Sequence, residues 1–383
     1  MHRVALIAAA ALLPLVVPLA HAQDIACMAP APASAPEVSP WPDTLRDFAT
    51  GAGVRVAVID TGVSPHPELD QLIATADFVS PEQPDPLFDC DGHGTVVAGI
   101  IAANSTGIAP DAEILAVRQT SAHYRNRRSD EEVETSGSLR SLADAIHAAL
   151  DDHARVINIS VVSCVDPRDA DLIDASTLHH ALARAEHDGA VVVSAAGNVT
   201  TSCPQGSFVF PSHLPTVLSV GARADAHTLA DYSVDFPEGL QTVSAAGTHE
   251  VGLSWNGGFA RGSAPERDTV HPFTGTSFAA PVVSGTAALL LQRHPHLTPD
   301  KVRWIIRQAA QPAHGAVDPL AVVTHLPSED ATRTSRVVLQ PSAQETSGAG
   351  ERLRAVLPLL AAAAVCAWAV GVMSKRCTRP RDQ

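Results

Sequence analysis

The sequence predicts an α/β fold, a doubly wound parallel sheet with helices on both faces. Three observations carry that expectation. Strand-length apolar runs alternate with longer helical segments through the middle of the chain. Those runs are mainly apolar rather than alternating at every second residue, which suits strands covered on both faces. The segment Ser277 to Arg293 is nearly all small or apolar, which suits a helix buried at the centre.

Taken in order, the expected strands are Val54–Ile59, Glu113–Val117, Arg155–Ser160, Ala190–Ser194 and Thr216–Val220. The expected helices are Thr95–Ala103, Ser138–Asp152, Leu178–His187, Ser277–Arg293 and Thr298–Ala309. The last has a clear start, with Thr298 as cap and Pro299 at the first helical position. Strands and helices in alternation require crossover connections, and these build a parallel sheet.

Both ends of the chain are hydrophobic. Arg3, the apolar run Val4 to Leu19 and Ala20-His21-Ala22 read as a secretory signal cleaved after Ala22, covering residues 1–22. Ala355 to Met373 is uncharged and long enough to span a bilayer, and Lys375, Arg376, Arg379 and Arg381 follow it. The basic tail, 374–383, is expected in the cytoplasm and everything before the span outside. Residues 23–52, rich in Pro, Ala and Ser, read as an irregular extension, too short to fold alone. Residues 327–354 read as a Pro/Ser-rich linker, leaving 53–326 as the folded domain. Ser121 to Ser136 is densely charged, without an apolar face, and reads as a solvated loop.

The formal charge is −15, and no long basic stripe exists to neutralise phosphates, which argues against a nucleic-acid partner. Of six cysteines, Cys27, Cys90, Cys164 and Cys203 lie in the exported part, where disulfides persist. Four cysteines permit three connectivities. No Cys-x-x-Cys spacing occurs, and no metal site is expected from them.

Three short segments carry the chemistry. Val56-Ala57-Val58-Ile59-Asp60-Thr61-Gly62 ends an apolar strand in a carboxylate. Asp91-Gly92-His93-Gly94-Thr95 sets a histidine between glycines. Gly275-Thr276-Ser277-Phe278-Ala279-Ala280-Pro281 opens a small-residue helix with a serine. Amide hydrolysis needs a nucleophile, a base that takes its proton, and a carboxylate that orients the base. Ser277, His93 and Asp60 are the candidates. Alone, each has a plain structural reading as a turn, a loop residue or a helix cap. Asp91 is a rival orienting carboxylate, but a loop Asp two residues from His93 is less suited than a strand-end Asp to lie buried beneath the imidazole.

Together, in the order Asp, His, Ser, these segments resemble the subtilisin-like serine proteases, from about Val54 to about Leu326. The resemblance implies that Asn198, ending Val191-Val192-Val193-Ser194-Ala195-Ala196-Gly197-Asn198, donates to the tetrahedral oxyanion together with the Ser277 backbone N–H. It places the pocket for the residue before the scissile bond between Ser160-Val161-Val162 and Phe208-Val209-Phe210-Pro211. Val162 and Val209 stand where subtilisins accepting large side chains often have glycine, so a small residue is expected there. It implies no cofactor. Ile100 to Asp111 is shorter than the calcium loop of many subtilisins and offers few oxygens, so no calcium site is expected.

The order of signal, short Cys-bearing extension, catalytic domain, linker, single span and basic tail resembles the mycosins, membrane-anchored serine proteases of type VII secretion systems. Val117-Arg118-Gln119-Thr120-Ser121, Val156-Ile157-Asn158-Ile159-Ser160 with Cys164 following, and Gly315-Ala316-Val317-Asp318-Pro319 agree with it. That likeness implies limited proteolysis of secreted proteins outside the cell membrane, and physical stabilisation of the secretion membrane complex. A scaffold with dispensable catalysis and a general cell-surface degradative protease are the competing readings. The expected bridges are Cys27–Cys90 and Cys164–Cys203. Cys164 and Cys203 follow the ends of adjacent expected strands, and Cys90 lies three residues before His93.

Overall fold

The structure is a computed structural model that describes residues 27–325, apart from 123–136, 226, 238, 267–268 and 312–314. The chain divides into two units, residues 1–327 and 328–383. The expected signal, the charged loop from residue 123, the linker, the span and the tail lie outside the described residues. Among the described residues, no helix is long and apolar enough to cross a membrane.

Two short elements come first, β1 (Pro30–Ala33) and α1 (Asp43–Phe48). They lead into β2 (Arg55–Asp60), β3 (Leu72–Asp77), α2 (His93–Ala102) and β4 (Glu113–Arg118). The chain continues through α3 (Leu139–Asp151), β5 (Val156–Ile159), β6 (Ser163–Val165), α4 (Ser176–Asp188) and β7 (Val191–Ala195). Then come β8 (Phe208–Phe210), β9 (Val217–Arg223) and β10 (Thr242–Ala246). Five small strands follow, β11 (Thr248–His249), β12 (Gly252–Leu253), β13 (Phe259–Glu266), β14 (Thr269–His271) and β15 (Phe273–Thr274). Three helices close the domain, α5 (Thr276–Arg293), α6 (Pro299–Ala309) and α7 (Pro319–Thr324).

The central sheet has seven strands in the order β10-β9-β7-β5-β2-β4-β3, every pair parallel. Alternation along β2 divides the core. Val56 and Val58 pack with α2, α5 and α6, whereas Ala57 and Ile59 pack with α3 and α4. Both faces are therefore covered, as the continuously apolar strands require. After β2 the chain builds outward to β3 and β4, then crosses back to β5 on the other side of β2. The strand order reverses there, and ligand crevices of open α/β sheets form at the carboxyl ends beside such a reversal.

The five expected strands and five expected helices are present, with ends displaced by at most three residues. The sheet has two further strands, β3 and β10, at its two edges. Leu-Ile-Ala-Thr-Ala-Asp and Thr-Val-Ser-Ala-Ala are only partly apolar, because an edge strand is less enclosed. At α6, Pro299 is the first residue as expected. Thr298, however, donates its hydroxyl to Asp300 rather than capping a backbone N–H.

The described part of the extension is not wholly irregular, and this corrects the expectation. β1 pairs antiparallel with β13 through Pro30, Pro32 and Ala33. Proline lacks an N–H and is tolerated on such an edge. Leu45 of α1 is buried in the main core. The Met28 N–H donates to the Cys90 carbonyl at 2.9 Å, and the Trp255 indole N–H donates to the Met28 carbonyl at 2.9 Å. A segment too short to build its own core thus folds by docking on the domain. Disulfides join Cys27 to Cys90 and Cys164 to Cys203, with Cα separations of 4.7 and 5.3 Å.

The Cys27–Cys90 bridge closes a separation of 63 residues. Replacing both cysteines by serine is expected to lower stability by about 4 kcal/mol on the loop-entropy model, read as a lower urea midpoint with a steeper slope as the freed unfolded chain expands.

Candidate active site

Asp60 is the last residue of β2, at the carboxyl edge beside the reversal in strand order. Its carboxylate is fully enclosed. Oδ1 accepts from the Thr61 N–H at 2.8 Å and lies 2.7 Å from His93 Nδ1. With Nδ1 facing a carboxylate, Nδ1 carries the proton and Nε2 is left as the acceptor.

His93 opens α2, and its flanking glycines have packing reasons. Gly92 has φ +76°, and a Cβ there would lie 2.2 Å from the Trp255 ring. A Cβ on Gly94 would lie 2.0 Å from the Gly62 carbonyl oxygen and 3.1 Å from the Asp60 Cβ. The close approaches that require these glycines are to the protein's own Trp255 and Gly62. The His93 side chain stays 27% exposed, and its ring packs on Phe278 with centroids 5.0 Å apart. Burial lowers the His93 pKa, but the charge and hydrogen bond of Asp60, with the charges of Asp89 and Asp91, outweigh it and raise it above the usual value. Asp91 itself is turned away, accepting from Ser121 Oγ and the Ala122 N–H.

Ser277 is the second residue of α5. Its hydroxyl donates to the Ser160 carbonyl at 3.0 Å, so in this conformer it faces the end of β5 rather than His93. In return, Ser160 Oγ donates to the Ser277 carbonyl at 2.9 Å. Pro281 explains why that carbonyl is free. It stands four residues on and has no N–H to give, so the helix leaves the Ser277 carbonyl for a side chain. Ser160 Oγ also accepts from Asn158 Nδ2 at 2.9 Å, and Asn158 Oδ1 accepts from Ser284 Oγ at 2.8 Å. This buried chain ties β5 to both ends of the first two turns of α5. Asn158 and Ser284 were not singled out from the sequence, where an Asn inside an apolar strand was the one available signal.

Asn198 lies just past β7. Its Oδ1 accepts from the Thr276 N–H at 2.9 Å and from Thr276 Oγ1 at 3.1 Å. Those two donors fix the amide orientation and leave Nδ2 on the Gly275 side, where a Cβ would lie 3.1 Å away. A strand-end amide donor thus sits beside the residues leading into Ser277.

Of the residues expected to shape the pocket, Ser160 is buried, and Val161 and Val162 are half-buried. A cavity of about 80 Å³ opens beside the two valines, lined also by Gln119, Ser138, Leu142 and Phe210. Val209 is fully buried in a small cluster with Cys203 and Val234, against which Val162, Cys164 and Val199 pack. It pairs with Cys164 across β6 and β8. Among the described residues, no group of His, Cys, Asp and Glu side chains has the geometry to hold a metal ion.

A carboxylate-held imidazole, a helix-start serine and a strand-end amide lie at one sheet edge, the arrangement expected of a subtilisin-type serine peptidase. The Subtilase family profile matches residues 51–344, and the chain belongs to that family. Among its relatives, Mycosin-4 of Mycobacterium tuberculosis is 37% identical over 366 residues, 85% of this chain and 77% of the relative. The crystal structure of MycP1 from Mycobacterium smegmatis superposes with a TM-score of 0.71 at 31% identity, covering 80% of this chain and 90% of that one. A chain of the intact ESX-5 inner membrane complex superposes with a TM-score of 0.68 at 30% identity, covering 92% of this chain and 94% of that one. The protein is thus a mycosin-like subtilase.

The His93 imidazole, followed by NMR in a Ser277→Ala chain, is expected to titrate above the ordinary value of 6.5. Asp60→Asn removes the charge that raises it and is expected to move the midpoint to lower pH.

Proposed function

We propose that this protein is a membrane-anchored, extracytoplasmic serine endopeptidase that performs limited proteolysis of secreted proteins within a type VII secretion system. The observation that supports it most is the Asp60–His93 hydrogen bond beside the start of the Ser277 helix. Ser277 Oγ turns from Ser160 toward His93 Nε2, passes its proton there and attacks the scissile carbonyl. Asn198 Nδ2 and the Ser277 N–H receive the oxyanion, and the helix N-terminus favours its charge. His93 then protonates the leaving amine, and a water molecule, deprotonated by His93, releases the acyl group. Asp60 keeps the tautomer and stabilises the imidazolium throughout.

The likeness to a chain of the ESX-5 inner membrane complex supports a second, structural role, in which the domain stabilises a secretion membrane complex. The apolar segment Ala355 to Met373 would hold it there as a single-pass protein with a cytoplasmic C-terminus.

The nucleophile is expected to be active without removal of a pro-domain, because the short extension is docked as β1 and α1. A fluorophosphonate probe is expected to label the folded protein, and Ser277→Ala to abolish labelling. Asn198→Ala is expected to slow turnover by about 10²–10³-fold. A folded chain that does not label would favour the purely structural role.

Substrate choice follows from the pocket valines. Val162 lines the cavity beside Val161, whereas Val209 is buried in the cluster with Cys203 and Val234, against which Val162 packs, and acts on the pocket through it. Ala or another small residue is expected before the cut, with Phe, Leu and Lys disfavoured. One misplaced methylene costs about 1–3 kcal/mol, so the preference is strong rather than absolute. A peptide-library profile checks it. Efficient cutting after Phe or Lys would refute the narrow pocket, and Val162→Gly or Val209→Gly is expected to widen acceptance.

A further inference from the structure

Asp89 lies four residues before His93 and is 4% exposed. Its carboxylate accepts four hydrogen bonds. Oδ1 takes Thr61 Oγ1 and the Gly92 N–H, each at 2.8 Å. Oδ2 takes the Thr95 N–H at 2.8 Å and Thr95 Oγ1 at 2.6 Å. The Thr61 hydroxyl in turn accepts from the Gly94 N–H at 3.0 Å, and the Thr95 hydroxyl accepts from the Ser64 N–H at 2.9 Å.

The donors come from two places. Thr61 and Ser64 belong to the turn that follows Asp60. Gly92, Gly94 and Thr95 belong to the start of the helix that carries His93. The first N–H groups of a helix have no partner within it, and Gly92, at the cap position, has no side chain to offer. Asp89 supplies that acceptor from outside and at the same time grips the residue next to Asp60. The following residue, Cys90, is tied to Cys27.

We propose that Asp89 is a positioning residue for the Asp60–His93 pair, its ionised carboxylate holding the turn after Asp60 and the start of the His93 helix in one fixed relation. The proposal rests on the reading of Asp60, His93 and Ser277 as the catalytic residues. The demand is for a carboxylate in particular. Two oxygens with four lone-pair sites match four donors. An amide at this place offers one acceptor oxygen and turns N–H groups toward a backbone N–H that needs an acceptor.

The charged groups around Asp89 are Asp60 on β2, His93 on α2 and Asp91 on its own loop. Beyond them Arg118 of β4 lies over the Phe88 ring and pairs with Asp77 of β3. Burial pushes the Asp89 pKa up from 3.8 to about 6, against the lowering by its hydrogen bonds with Thr95 and Thr61, and the charge of Asp60 adds to the rise. A carboxyl whose folded pKa is raised contributes stability that is fully present below its unfolded value and is lost as pH rises through about 6. Acidification through that range therefore favours the folded state at this group. It also converts one acceptor oxygen into a donor and loosens the grip. Activity and stability respond to this group with opposite sign, which a purely structural residue does not do.

The test uses the full chain with a fluorophosphonate probe, reading the maximal labelling rate and the probe's apparent affinity against pH, with thermal unfolding alongside. Asp89→Asn is expected to cut the labelling rate by about 10²-fold, the effect of a small displacement in a catalytic site, with probe affinity unchanged. The acid limb of its pH profile is expected to be shallower than that of the native chain and shifted to lower pH, since His93 loses a neighbouring negative charge. The native chain is expected to lose labelling as His93 protonates above its ordinary 6.5, and more steeply as Asp89 protonates toward about 6, without losing its fold. Thr61→Val removes the bridging hydroxyl alone and is expected to slow labelling with the native acid-limb slope retained, so it answers the question if Asp89→Asn does not fold. Native labelling rates in either folded variant, or losses that track the unfolded fraction, would overturn the proposal. A native chain that fails to label overturns the catalytic reading, and this proposal with it, whereas a labelling native chain with unaffected variants overturns the role of Asp89 alone.

Discussion

An enclosed carboxylate at the end of a central strand is the constraint around which this structure is arranged. Asp60 has no exposed surface, and an ion taken out of water must be repaid by partners at close range. The Thr61 N–H and the His93 imidazole provide them, both at Oδ1. To bring that imidazole within 2.7 Å, α2 has to begin directly over the end of β2. The glycine on each side of His93 follows from that requirement, because a side chain at either place would strike Trp255 or the Gly62 carbonyl.

The serine side of the site is held by a different device. Pro281 withholds the N–H that would satisfy the Ser277 carbonyl, and the buried Ser160–Asn158–Ser284 chain takes up the freed acceptor. Buried polar groups are costly unless fully paired, and here pairing joins β5 to α5 at the point where the nucleophile emerges. The helix that carries Ser277 is apolar nearly all round, so it cannot slide toward solvent to relax the arrangement.

The amino-terminal segment shows how a sequence without its own core becomes structured. Its prolines sit on an edge strand that asks little of backbone donors, one leucine enters the domain core, and a disulfide fixes it beside the loop of His93. Composition alone suggested an irregular tail, because a docked strand draws its pairing from residues more than two hundred positions away.

The sequence by itself determined the layered α/β class, five strands and five helices of the domain, and the three segments that carry Asp60, His93 and Ser277. These were legible because continuous apolar runs, a glycine-bracketed His and a small-residue helix start are local consequences of burial and close approach. Tertiary structure alone decided which strands close the sheet at its edges, since β3 and β10 are too weakly apolar to announce themselves. It also decided that Asp91 faces Ser121 and Ala122 while Asp89 faces the active-site turns, a distinction between two acids two residues apart. The orientation of a loop carboxylate is set by which distant donors the fold brings within 3 Å of it, and no local pattern encodes that.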